Sequence, residues 1–251
     1  MRIPVGILNL ILGLVYIQFG TLTLIEMRRN WREMGFSHFG AAWVAMAFTC
    51  GPHHLVHGLH LLATNHFGGA LDLIAVVVGF PVGVIWFLLR VEAFRGGRGD
   101  RFVEGSPGWV VALPTVFAVY LTAVIAAVIA RGVAAPTELA LVAPNLVLVA
   151  IYSLIGYFLI RTQLANRLPL GGWSVSGLAL ALIFPTCAVM HAVYAYYAVA
   201  GHYPVMLGGL GIDWLAVPAG AYFLWVVYSL YRGQFLDWNR TRAIIEEATA
   251  G

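Results

Sequence analysis

One run of the chain concentrates side chains that bind metals or carry protons. It reads Cys50-Gly-Pro-His53-His54-Leu-Val-His57-Gly-Leu-His60. At about 100° per residue of helix, the thiol and the four imidazoles fall on one face roughly 120° wide. His53 and His57 stand at i, i+4, and His57 and His60 at i, i+3. Both spacings let two imidazoles converge on one ion. A second run, Pro185-Thr-Cys187-Ala-Val-Met190-His191-Ala-Val-Tyr194, repeats the theme with Cys187 and His191 at i, i+4. Asp72, Glu138 and Asp213 are the acids that fall on the same side of the chain's layout. Asp72, well inside an apolar stretch, is expected as a ligand or as the acceptor of a histidine N–H. Asn9 and Asn145 are expected to hydrogen-bond between helices.

Three chemistries suit this set. A mononuclear or dinuclear copper, zinc or iron site would draw on His53, His54, His57, His60, His191 and Asp72, with Cys50 and Cys187 as softer ligands that lean towards copper. Haem b would take His53 or His57 with His191 as its two axial imidazoles. A proton relay would use imidazoles that titrate near neutrality. Of the remaining histidines, His38 opens the second apolar stretch in an interfacial place, and His66 and His202 lie near loops.

The solvent around these residues follows from composition. Of 251 residues, 61% are hydrophobic and 10% charged. Soluble chains carry about 25% charge, so this chain cannot cover an aqueous surface. An all-α, polytopic membrane bundle is expected. Disorder, a disulfide scaffold and nucleic-acid binding are excluded by the same numbers.

About 20 apolar residues cross the bilayer core as helix. Seven stretches qualify, roughly Ile3–Glu26, Phe39–Ala63, Ala70–Arg90, Trp109–Arg131, Leu139–Ile160, Ser174–Ala200 and Leu210–Tyr231. The first lacks a cleavage pattern and is expected to be a retained helix. The bundle is expected over residues 1–232, with a short cytoplasmic tail over 233–251. Internal prolines are expected in the second to seventh helices: Pro52, Pro81, Pro114, Pro144, Pro185 and Pro218.

Arginine sets the expected orientation. Twelve of the fourteen arginines fall in the first, third and fifth connections and the tail, leaving Arg2 and Arg131 on the other side. The N-terminus is therefore expected outside and the C-terminus in the cytoplasm of a cell-membrane, multi-pass protein. The histidines other than His38 then face the extracytoplasmic half. The chain contains no lysine. That excludes a retinal or pyridoxal Schiff base and a P-loop lysine.

The string His53-His54-x-x-His57 resembles a fragment of the histidine boxes of membrane desaturases and hydroxylases. Those families use several boxes on the cytoplasmic side; here there is one, on the opposite side, and no family is assigned. The expectation is a membrane protein that binds a transition metal or haem for redox or metal handling. Its electron donors would be a quinol in the lipid or a donor outside, and other membrane subunits are expected partners. A proton- or cation-coupled transporter, and an accessory subunit of a membrane complex, are the alternatives.

Overall fold

A computed structural model describes residues 1–64, 68–105, 112–202, 207–234 and 237. Its elements are α1 (Arg2–Met34), α2 (His38–Thr64), α3 (Ala70–Phe94), β1 (Phe102–Val103), α4 (Leu113–Gly132), α5 (Pro136–Leu141), α6 (Ala143–Asn166), β2 (Trp173–Ser174), α7 (Val175–Val199) and α8 (Leu207–Tyr231). Six of the helices, α1, α3, α4, α6, α7 and α8, are long and apolar enough to cross a membrane. The 27-residue α2 is long enough, but its five histidines lower its hydropathy. The outward faces carry Ile7, Leu14, Val78, Leu88 and Val119, all exposed, as an apolar solvent allows.

The helix α7 forms the middle of the bundle. Apolar on all sides, it is buried on all sides, packed between α3, α4 and α6. The pair α1 and α2 packs closest through small residues. A Cβ on Gly13 would lie 2.8 Å from the Gly51 carbonyl oxygen, and one on Gly58 would lie 2.7 Å from the Gly6 oxygen. One half of the core is aromatic: Trp43 stacks edge-on to Trp86 at 4.3 Å, with Phe184 and Phe223 4.9 Å apart beside them. The buried His54, His57 and His191, with Asn9, Asn145 and Asp213, gather in the other half.

Several sequence expectations change. The helix α1 runs two turns past Glu26, so Arg28, Arg29 and Arg32 ride on helix rather than on a loop. The fifth apolar stretch is broken at Val142 into α5 and α6. Pro52, Pro81, Pro185 and Pro218 lie inside helices. Pro114 and Pro144 instead sit in the first turn of α4 and α6. There a missing N–H costs nothing, because first-turn donors have no partner within the helix. The start of the expected fourth stretch, Trp109, lies outside the described residues, as do Arg240 and Arg242 of the tail.

The connections rich in arginine meet at one end. Arg90 pairs with Glu26 at 2.8 Å, joining α3 to α1. The strand β1 pairs antiparallel with β2, tying the α3–α4 connection to the start of α7. Asp237 accepts hydrogen bonds from Ser37 Oγ and the Phe39 N–H, both at 2.8 Å.

Candidate metal centre

The site lies in the half of the bundle away from the arginine-rich connections, where α2, α6, α7 and α8 converge. Close packing on α1 sets the rotation of α2, so that its histidine face is presented inward. His53 on α2 places Nδ1 2.7 Å from Asp213 Oδ1 on α8. His191 on α7 places Nδ1 4.0 Å from the same oxygen. The rings of His53 and His191 lie 4.8 Å apart between centroids. One ligand atom from each of His53, His191 and Asp213 falls within 4.8 Å of the others. His191 and Asp213 are buried, and His53 is nearly so. His53 Nδ1 and Asp213 Oδ1 both lack a hydrogen bond of good direction despite their closeness. At that distance the two atoms form an ion pair whenever His53 is protonated; with the imidazole neutral, the same convergence of nitrogen and carboxylate oxygen suits a shared cation.

The hydrogen-bond network fixes the state of the second imidazole. Asn145 Nδ2 on α6 donates to Asp213 Oδ2 at 2.9 Å. The amide oxygen of Asn145 must then accept, so His191 Nδ1–H donates to it at 2.7 Å. In a neutral imidazole that leaves Nε2 with its lone pair free to bind a metal. Asn145 therefore holds the Asp213 carboxylate and the His191 imidazole at once, the kind of orienting partner that metal-binding histidines have. The same logic orders His54. Asn9 Nδ2 donates to the Val5 carbonyl at 2.9 Å, so Asn9 Oδ1 accepts from His54 Nδ1–H at 2.7 Å.

The other expected ligands separate. His57 lies a turn beyond His53, its ring stacked parallel at 6.4 Å and edge-on to Tyr194 at 5.8 Å. His60 follows on the next turn, half-buried. His54 turns towards α1, beside Asn9 and Tyr16. Asp72 is not among the convergent ligands. It caps the start of α3, where its carboxylate accepts the Gly69 N–H at 3.4 Å. The acid that joins the histidines is Asp213, on α8. His38 lies at the opposite end, 2.9 Å from the Tyr222 hydroxyl. His202 follows the last turn of α7 beside Tyr197, and His66 is outside the described residues.

The structure also divides the single expected site in two. Cys50 and Cys187 lie about one helical turn below His53 and His191 and border one small space. Tyr152 bridges the two layers: its hydroxyl is 3.3 Å from Cys50 Sγ, and its ring lies 5.5 Å from that of His191. The thiols therefore belong to a sulfur layer and the triangle of His53, His191 and Asp213 to a nitrogen and oxygen layer. The close ring packing of His53 and His191 leaves no room for a porphyrin between them, so haem b does not suit this pair.

Asp213 and Asn145 are the residues whose roles the sequence reading underrated. A carboxylate inside an apolar helix is costly unless paired, which marks Asp213 and Asp72 alike and does not choose between them. Comparison with protein-family models, with curated proteins and with solved structures finds no match to this chain. The site is therefore interpreted from its own geometry.

Proposed function

We propose that the chain is a multi-pass membrane protein of seven spanning helices, α2 completing the set, with a transition-metal centre at His53, His191 and Asp213. The observation that carries this reading is the convergence of two imidazoles and a carboxylate from three separate helices, within 4.8 Å and largely buried. Two imidazoles and one carboxylate are a ligand set of zinc and non-haem iron(II) sites, and it leaves coordination positions open for water or a substrate. An ion there would polarise a bound oxygen or exchange electrons. With the arginine connections in the cytoplasm, the centre faces the extracytoplasmic half. A quinol in the lipid or an outside donor is then its redox partner.

The test is elemental analysis of protein purified in mild detergent. One equivalent of zinc or iron per chain is expected, lost in both His191→Gln and Asp213→Asn. Wild-type protein that is metal-free, and stays so after reloading with Zn(II) and Fe(II), overturns the reading.

A second reading has its own observation. His53, His57 and His60 form a ladder along α2, beginning directly after Pro52. Such a ladder in a proline-containing helix suits a proton- or cation-coupled transporter. A metal-free protein that passes cations into liposomes, and loses that flux in His57→Ala, favours it.

A further inference from the structure

The sulfur layer carries chemistry that the triangle does not use. Cys50 on α2 and Cys187 on α7 are both free thiols, and both border the same small space between the two helices. They line a cavity of about 10 Å³ together with Met46, Tyr16 and Trp43. That volume admits a single water-sized particle. Met46 is 2% exposed and Cys187 3% exposed. A buried cysteine is usually a small apolar packing residue. Here two thiols and a thioether, from sites 4 and 137 residues apart along the chain, border one ion-sized space. The space holds no carboxylate and no imidazole in its lining.

We propose that Cys50 and Cys187, with Met46 beside them, form a second site for a soft monovalent cation, copper(I), one turn below the nitrogen and oxygen site. Soft thiolate and thioether ligands select copper(I), whereas zinc and iron(II) are served by the imidazoles and carboxylate above. Binding replaces each S–H bond by a bond from sulfur to the ion and releases two protons. No electron is transferred, and the ion stays monovalent. The Tyr16 hydroxyl lies 3.7 Å from Cys187 Sγ at the edge of this sulfur set. The site stands on the cavity and the sulfur set, independently of whether the triangle above holds a metal.

Silver(I) is the probe, since it is soft, monovalent and inert to oxidation and reduction. Protein in detergent, kept reduced and free of oxygen, is titrated with silver(I), and the bound ion is examined by X-ray absorption at the silver edge. One equivalent with sulfur neighbours is expected. Binding is lost in Cys50→Ser/Cys187→Ser and weakened in Met46→Leu. It is unchanged in His191→Gln, which instead loses zinc or iron uptake. An unchanged circular dichroism spectrum and monodisperse elution establish that the double variant is folded. Undiminished silver binding in the folded double variant overturns the proposal. So does nitrogen or oxygen coordination in the wild type, or failure of reduced wild-type protein to bind silver at all.

Discussion

Asn145 is the residue on which the account of the triangle depends. It contributes no ligand, yet its amide holds the carboxylate of Asp213 with one end and the imidazole of His191 with the other. Loss of such an orienting partner costs about 10–100-fold in metal affinity. Asn145→Leu is expected to weaken zinc binding by about that factor, read by competition with a chromophoric chelator. Asn9→Leu disturbs only His54 and is expected to leave zinc affinity at the wild-type value. Equal losses in both variants would show that the effect is general loosening. Much of this was legible in the sequence. The histidine face of α2 and the i, i+4 pairing of Cys187 with His191 follow from helical spacing. The choice of acid was not legible, because spacing within one helix says nothing about which other helix stands opposite. Asp72 and Asp213 are equivalent as sequence; packing alone brings α8 beside α2.

At the scale of elements, the glycines of α1 and α2 matter more than the prolines. Gly13 and Gly51 pack backbone against backbone, a contact enriched in membrane helix pairs. A Cβ on Gly51 would meet Ile17 Cγ1 at 2.7 Å. Gly51→Ala is expected to destabilise the bundle by about 1–3 kcal/mol, the usual cost of overpacking. Gly211→Ala, where nothing lies within 4 Å, is expected to cost nothing. Detergent unfolding monitored by circular dichroism separates them, and equal midpoints would contradict this packing account. The extent of the apolar stretches gave these helices away, but the close contact was hidden, since a glycine reads the same in a loop and in an interface.

The connection before β1 is tied to the start of α7 by a carboxylate. Asp100 accepts from Ser174 Oγ at 2.6 Å and from the Ser176 N–H at 2.9 Å, at the start of α7. Partial burial pushes its carboxyl pKa up, but these hydrogen bonds outweigh burial and hold it below the ordinary value. A lowered folded pKa means stability that is present above the unfolded value, near 4, and lost as pH falls through the folded value. The thermal advantage of wild type over Asp100→Asn is therefore expected to be full at about pH 6 and to shrink below about pH 4. A constant gap across that range would mean that the carboxylate charge is not what holds the junction.

At the scale of the whole molecule, the arginine end and the histidine end are separate surfaces. Ion pairs and strand pairing knit the first, while the second is built from buried imidazoles, amides and a carboxylate. The arginine count predicts which side each faces. A reporter inserted at Gly97 is expected to be active only as a cytoplasmic fusion, and one active only outside would reverse the orientation. The broad architecture was legible because the composition dictates the solvent. The deeper, matched placement of Cys50 and Cys187 was legible from their positions along α2 and α7; that they line a cavity of their own was not, because that depends on which helix faces stand opposite each other. The central claim is that His53, His191 and Asp213 share one ion. Its most direct test is a crystal of the metal-loaded protein measured at the zinc or iron absorption edge. The account predicts one anomalous peak bounded by His53, His191 and Asp213. A peak elsewhere, or none at the triangle in loaded crystals, would contradict it.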